Sequence, residues 1–232
     1  MEEIGSRTEK KLHENLWSFN EGFWFLEMNS LRMAGYPIAY VVCPTIRKKK
    51  AYVTMGEALA TGGVAAKGTV VAHIEGGGIA PANQGFRKAL ESEAPYIAYI
   101  NDDVSFPQQG WLKELIDVLE TDPTIGVVGP SGRCRTLPQA RGKLGMEWGV
   151  EEVRWLSFFC VVIKRKLLEQ LKGFNPIYKH YGGDNEFCEE TRHLGMKCFW
   201  AQHVYVEHEL SDIIPAYKKV DEALFNQRWM PR

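Results

Sequence analysis

Two adjacent carboxylates follow a run of apolar residues, in the segment Asn101-Asp102-Asp103. Neighbouring carboxylates repel each other, so the pair needs a cation or several hydrogen-bond donors close by. A hard divalent ion is a natural partner, because Mg²⁺ and Mn²⁺ commonly take one or two protein carboxylates together with substrate phosphates and water. The alternative is an acidic turn that caps the helix predicted to begin near Pro107. The residues of this segment are compatible with both interpretations.

A third carboxylate of interest is Asp184, in the segment Gly182-Gly183-Asp184-Asn185-Glu186. Two glycines allow the backbone to approach a ligand closely, and a carboxylate that faces a pocket can act as a general base. The alternative is structural, because an acidic side chain at a helix N-terminus is stabilised by the helix dipole. The segment therefore predicts either a catalytic base or a helix start.

Three further features suit a phosphate or a metal ion. His208 lies just past the last predicted strand, where a histidine either completes a metal site or is structural. Residues 76–85 form a glycine-rich turn that can admit a phosphate, although they match neither a P-loop nor a dinucleotide fingerprint. A basic run from Arg47 to Lys50 is either a solvated charge cluster or a contact for a diphosphate.

The elements that must position these residues alternate from residue 37 onward, which predicts an α/β sheet with sites beyond the carboxyl ends of its strands. Strands are predicted near residues 38–43, 69–74, 96–100, 125–128, 156–163 and 198–206. Helices are predicted near residues 52–60, 81–91, 107–120, 165–171, 184–194 and 215–229. Residues 131–155 are predicted to form a long loop. Residues 1–35 carry an apolar stripe at helical period, which predicts a helical N-terminal extension.

Composition narrows the class of protein. The 232 residues include 28 Lys and Arg and 29 Asp and Glu, a balance that disfavours a chain held to nucleic acid mainly by bulk charge. Five cysteines without a CxxC pair disfavour both a disulfide framework and a structural zinc site, and favour reduced thiols in the cytoplasm. The sequence is also expected to lack a signal peptide and a transmembrane segment.

Taken in chain order, these motifs resemble those of the family 2 glycosyltransferases, over about residues 37 to 210. The resemblance implies a GT-A fold, an α/β fold with a Rossmann-like, mixed, mostly parallel sheet flanked by helices. The segments that carry it are Pro44-Thr45, Glu75, Ala82-Asn83-Gln84-Gly85, the D-x-D-like Asn101-Asp102-Asp103, Gly173-Phe174-Asn175, Gly183-Asp184-Asn185-Glu186 and His208. The chain departs from the family pattern at Ala82, Asn101, Gly183 and Glu186, where the family usually has Arg, Asp, Glu and Asp.

The resemblance implies a metal-dependent hexosyl transfer, with inversion, from a UDP-, GDP- or dTDP-sugar to an acceptor hydroxyl. It implies that Asp103 and His208 hold Mn²⁺ or Mg²⁺, and that Asp184 is the base, with Glu186 as the second candidate. The donor contacts that it implies are Pro44, Thr45, Arg47, Glu75, Asn83, Asn101 and Asp102. The acceptor is left open among a glycan, a lipid-linked sugar, a protein and, less favoured, a nucleic acid.

Two other functions stay open. A nucleotidyltransferase of related fold usually begins with a glycine-rich loop and a lysine, whereas here the first strand ends in Cys43-Pro44-Thr45. An inactive nucleotide-sugar-binding module would not need the acidic residues and the histidine that this chain retains. The predicted organisation is a helical extension (1–35), a GT-A catalytic domain (36–211) and a helical tail (212–232), with a homodimer through the N-terminal helix as one form of assembly.

Overall fold

A computed structural model of the chain describes residues 37–72, 77–134, 138–209 and 215–230, so the predicted N-terminal extension lies outside the described residues. The strands are β1 (Ala39–Thr45), β2 (Ala66–Ala72), β3 (Tyr96–Ile100), β4 (Val104–Ser105), β5 (Ile125–Ser131), β6 (Val150–Val153), β7 (Cys160–Lys164), β8 (Lys197–Tyr205) and β9 (Glu207–His208). The α-helices are α1 (Lys48–Thr61), α2 (Ile79–Leu90), α3 (Trp111–Glu120), α4 (Arg165–Leu171), α5 (Gly183–His193) and α6 (Pro215–Trp229).

Seven strands form one mixed sheet in the order β2-β1-β3-β7-β5-β8-β6. The pairs β1–β2, β1–β3 and β5–β8 are parallel, and the pairs that involve β7 or β6 are antiparallel. Five strands therefore point one way and two point the other. This confirms the predicted α/β fold with a mixed, mostly parallel sheet flanked by helices.

Alternation along the central strands divides the core between the two faces of the sheet. In β1, Val41 and Cys43 face the cluster formed with α1 and α3, whereas Val42 faces the cluster formed with α2, α4, α5 and α6. The near-continuous apolar run of β1 and β3 is what a strand buried on both faces requires. The helical tail thus covers the same face as α5, through the buried Phe225.

The strand pairings place the cleft. Because β1 and β3 are parallel, their carboxyl ends lie side by side, and the residues that follow each strand meet at one edge. The antiparallel β7 starts at this same edge, since Cys160 pairs with Ile100. A two-stranded ribbon of β4 and β9 pairs Val104 with His208, which brings His208 next to the residue that precedes Val104.

The prediction of a long loop over residues 131–155 is partly wrong. Residues 139–141 form a 3₁₀ turn, and β6 is an edge strand that pairs antiparallel with β8. The four residues of β6, Val-Glu-Glu-Val, place two exposed acids at their centre, which protects a sheet edge from further pairing but removes the apolar signal of a strand. The helix predicted from residue 107 begins only at Trp111, because Gly110 adopts a left-handed φ of 79° before it.

We expect Gly85→Ala to destabilise the protein, because Gly85 lets α2 pack directly on β1. A Cβ at this position would lie 2.2 Å from Cγ1 of the buried Val42. Overpacking of this kind costs about 1–3 kcal/mol in the free energy of unfolding. Gly56→Ala in the exposed part of α1 is the matched control, because nothing lies within 4 Å of a Cβ placed at this position. This substitution should raise the free energy of unfolding by about 0.5–1 kcal/mol. Chemical denaturation of both variants measures the difference, and equal effects would contradict this packing argument.

Candidate active site

A cleft of about 900 Å³ opens at the carboxyl ends of β1 and β3. The predicted site residues that line it are Pro44, Thr45, Arg47, Asn101, Asp102, Asp103, Asp184 and His208. These residues come from four separate parts of the chain, and the sheet order described above brings them together. The cleft therefore contains the predicted metal ligands, the first-choice base and most of the predicted donor contacts.

Asp102 is held by groups that follow β1. Arg47 contacts both of its carboxylate oxygens, with Nε donating to Oδ2 at 3.1 Å and Nη2 donating to Oδ1, and Thr45 Oγ1 also donates to Oδ2. Thr45 in turn accepts a hydrogen bond from the backbone N–H of Arg47 at 2.6 Å. The Asp102 side chain is 9% exposed, so these partners compensate the removal of its charge from water.

Asp103 lies between two cationic or polar partners. Arg47 Nη2 is 3.3 Å from its Oδ2, and His208 Nε2 is 3.3 Å from its Oδ1. Burial alone would raise the pKa of Asp103, but His208 and Arg47 outweigh it and hold this pKa below the ordinary value of 3.8. The carboxylate is therefore ionised at neutral pH.

His208 is fixed by contacts on two sides. Its Nδ1 lies 2.8 Å from the backbone carbonyl oxygen of Arg133, and its ring stacks on Phe159 with centroids 4.9 Å apart. Because a carbonyl only accepts, Nδ1 carries a proton. With a second proton on Nε2 the ring attracts the Asp103 carboxylate, and without it the Nε2 lone pair and the carboxylate face each other and could share a cation. A histidine oriented in this way by a carbonyl on its other nitrogen is typical of metal ligands.

Asp184 enters the cleft from the first turn of α5. Burial raises its pKa above the ordinary value, although backbone N–H groups of Asn185 and Phe158 partly offset the effect. Gly182, with φ of 72°, turns the chain into the helix, and a Cβ on Gly183 would lie 2.5 Å from Ile79. A side chain at position 183 would therefore require Ile79 to move.

Two predicted site residues are not brought into the cleft, and a third is not among the described residues. Asn83 instead holds the backbone of Phe174, donating to its carbonyl and accepting from its N–H, both at 2.8 Å. Glu186 points into the protein, as described below. Glu75 lies outside the described residues, and its predicted donor contact stays a prediction.

Glu186, the second candidate for the base, is 2% exposed and anchors the C-terminal helix. Its carboxylate accepts hydrogen bonds from Arg228 Nε (3.0 Å), Trp229 Nε1 (2.9 Å), Asn175 Nδ2 (2.6 Å) and the Tyr178 hydroxyl. Burial raises the pKa of Glu186, but these donors more than offset it and leave the pKa below 4.5. An acid with this set of partners has a structural role, which corrects the expectation that it could replace Asp184.

Helix α6 forms a wall of the cleft that the sequence patterns did not reveal. One stripe of this helix lines the cleft, at Lys218, Glu222, Phe225 and Asn226, and Met230 lines it just after the helix ends. The buried Asp221 ties the helix to the loop before α5 by accepting hydrogen bonds from the backbone N–H groups of Lys179, His180 and Tyr181. The four-residue and three-residue spacing of the stripe was visible in the sequence, but nothing in the sequence showed which surface it would meet.

Comparisons with known proteins relate the fold to solved structures, two of which are A197 and GalNAc-T7. No family model and no curated protein matches the chain. Protein A197 from STIV aligns with a TM-score of 0.51 at 14% identity, over 75% of this chain and 86% of that one. GalNAc-T7, solved with UDP, GalNAc and Mn²⁺, aligns with a TM-score of 0.51 at 13% identity, over 75% of this chain but only 44% of that one. At these identities the likeness shows a GT-A-like fold.

Two other findings concern the described residues. In the described part of the chain, no group of three or more His, Cys, Asp or Glu side chains is placed to hold a metal ion, and the predicted ligands Asp103 and His208 are a pair. Within the same ranges, no helix is both long and apolar enough to span a bilayer.

We expect Glu186→Gln to destabilise the protein by about 1–3 kcal/mol, because a buried ionic acceptor of several hydrogen bonds is lost. The pKa of Glu186 is lowered by folding, so its stabilisation is present above the ordinary pKa and is lost as the pH falls through the folded value. The melting temperatures of the wild type and the variant should therefore differ most near neutral pH and converge in acid.

The control is Glu169→Gln, which removes the partner of Arg165 in a surface pair of α4. Exposed pairs of this kind contribute about 0.3–0.5 kcal/mol. Equal losses in the two variants, or a difference independent of pH, would contradict the structural role of Glu186.

Proposed function

We propose that this chain is a metal-dependent glycosyltransferase that moves a sugar from a nucleoside-diphosphate sugar to an acceptor hydroxyl, with inversion. The observation that carries the proposal is the single cleft that gathers Arg47, Asp103, His208 and Asp184 at the carboxyl edge of the sheet. The GT-A-like fold supports it, as does the neighbouring structure that was solved with UDP, GalNAc and Mn²⁺. Membership of family 2 and a hexose as the transferred sugar are part of the same proposal.

Asp103 and His208 are the residues that would hold Mn²⁺ or Mg²⁺. They fit this role because an ionised carboxylate oxygen and an imidazole nitrogen lie 3.3 Å apart, and the other ring nitrogen is already oriented. Two protein ligands suffice for such ions when substrate phosphates and water complete the shell. A bound divalent cation would act as a Lewis acid that stabilises the charge growing on the leaving diphosphate.

The residues after β1 and β3 are proposed to hold the donor. Arg47 offers a guanidinium, the group best matched to phosphate oxygens, and Thr45, Asn101 and Asp102 offer polar atoms for the nucleoside. Pro44 lines the same part of the cleft. Asn83 is left out of the donor site, since both ends of its amide are engaged with Phe174.

Asp184 is proposed to take the proton of the acceptor hydroxyl while the acceptor oxygen attacks the sugar carbon that carries the diphosphate. The bond from this carbon to the diphosphate oxygen breaks with its electron pair on the oxygen, and the proton stays on Asp184. A single displacement of this kind inverts the configuration at the carbon. The raised pKa of Asp184 makes it a stronger base than an exposed aspartate and moves this pKa toward neutral pH.

Residues 36–211 with α6 are proposed to form the catalytic unit, with residues 1–35 as an extension that provides a dimer contact. A cytoplasmic location fits a chain whose five cysteines, all within the described ranges, form no disulfide. The acceptor is proposed to be a glycan, a lipid-linked sugar or a protein rather than a nucleic acid.

We expect Asp184→Asn to keep donor affinity and to lower the rate of sugar transfer by about 10²–10⁴-fold, the usual contribution of a positioned base. Release of UDP, GDP or dTDP from a panel of nucleotide sugars, with water or added sugars as acceptors, measures the rate. Glu190→Gln, further along α5, is the control and should leave the rate unchanged.

A variant that retains full transfer would refute the assignment of the base. The melting temperature of Asp184→Asn provides a second test, because burial of this charge costs stability at neutral pH. The variant should melt at least as high as the wild type at pH 7, and its advantage should shrink as the wild-type carboxyl becomes protonated in acid.

We expect Mn²⁺ to tighten nucleotide binding to the wild type, and Asp103→Asn or His208→Ala to abolish this gain. Calorimetric titration of UDP, GDP and dTDP with and without Mn²⁺ measures it. Glu207→Gln is the control, because Glu207 is an exposed neighbour on the same ribbon as His208. If binding in the wild type is unaffected by both Mn²⁺ and Mg²⁺, the metal assignment is wrong, and a metal-independent binding module becomes the better description.

A further inference from the structure

The guanidinium of Arg47 lies on the two carboxylates that the proposed reaction uses. It contacts both oxygens of Asp102, and its Nη2 is also 3.3 Å from Asp103 Oδ2. The side chains of Asp102 and Asp103 are 9% and 5% exposed, whereas that of Arg47 is 41% exposed. The carboxylates are therefore enclosed, and the guanidinium approaches them from the solvent side.

Asp103 cannot serve two cations equally well. Its Oδ2 faces Arg47 and its Oδ1 faces His208, so a divalent ion held by Asp103 and His208 would share one carboxylate with the guanidinium. Like charges that share one carboxylate repel each other, and the repulsion is stronger in a partly buried site than in water. The contacts of Arg47 consequently oppose the binding of a metal ion on its own.

The structure also provides a way for Arg47 to leave. Its backbone N–H is held by Thr45 Oγ1 at 2.6 Å, so the backbone stays in place while the long side chain rotates. The side chain lines the cleft, where the diphosphate of a donor would lie. A phosphate offers the guanidinium the same pair of oxygen acceptors that a carboxylate does.

We infer that Arg47 is a displaceable internal counter-ion, which neutralises Asp102 and Asp103 in the free protein and transfers to the donor diphosphate when a divalent cation takes its place on Asp103. The inference rests on the proposed function. It implies that cation and nucleotide bind cooperatively, because each removes an obstacle to the other. By thermodynamic linkage this coupling is reciprocal.

The test is a calorimetric titration of the full chain with Mn²⁺ in the absence of nucleotide. Arg47→Ala should bind Mn²⁺ at least about fivefold more tightly than the wild type, the lower end of usual coupling factors. Lys49→Ala is the matched control: it removes the same charge from an exposed neighbour and should stay within about twofold of the wild type, because exposed charges are screened by salt. The Mn²⁺ affinity of Arg47→Lys should lie between those of the wild type and Arg47→Ala, since lysine keeps the charge but lacks the paired N–H donors of the guanidinium.

A second titration measures the coupling itself. In the wild type, UDP, GDP or dTDP should lower the Kd of Mn²⁺, and in Arg47→Ala this effect should be smaller while the nucleotide binds more weakly. Arg47→Gln replaces the alanine variant if thermal melting shows that Arg47→Ala does not fold.

The outcomes separate this inference from the proposed function. One outcome is that Mn²⁺ binds the wild type when nucleotide is present, but in the absence of nucleotide binds Arg47→Ala no more tightly than the wild type. In that case the counter-ion role is overturned and the metal site stands. An equal gain in Mn²⁺ affinity in Lys49→Ala would also overturn the counter-ion role, because the loss of one positive charge anywhere nearby would then explain the gain. If Mn²⁺ binds no form of the protein, both the metal site and the counter-ion role are overturned.

Discussion

The placement of two adjacent carboxylates at the end of β3 is the constraint on which the cleft depends. Asp102 and Asp103 are almost enclosed, and enclosed carboxylates without partners would cost several kcal/mol each. Their partners come from the segment after β1 and from the β4–β9 ribbon, which supply Arg47 and His208. Formation of the sheet therefore brings the two carboxylates and their partners together. The strand order thus determines which charged groups meet in the cleft.

Two acids on α5 lie on different sides of the helix and have different surroundings. Asp184 and Glu186 are two residues apart, which places them about 200° apart around a helix of 3.6 residues per turn. Asp184 faces the cleft, and its burial raises its pKa, whereas Glu186 faces the interior, where its donors lower its pKa. One carboxylate is thereby prepared to accept a proton and the other is kept ionised to hold α6. In the sequence the two residues are similar neighbouring acids, and the fold gives them different environments.

The fold of this chain is shared with proteins at 13% and 14% identity, and a fold at that distance carries no specific activity. Only the side chains of the cleft can therefore favour sugar transfer over another activity. Arg47 and His208 are the informative ones, because each combines a contact to a carboxylate with a second contact that orients it. The wall formed by α6 adds polar and aromatic surface to the cleft.

Local patterns in the sequence determined the α/β class, most of the strands and helices, and the positions of Asp103, Asp184 and His208 at element ends, because periodicity and turn residues report on neighbours along the chain. They did not reveal the short acidic strand β6, the partnership of Glu186 with Arg228, or α6 as a wall of the cleft. Each of these depends on residues that are close in space and distant in sequence. Only the tertiary structure decides such contacts, since burial and charge pairing are properties of the surroundings that folding creates.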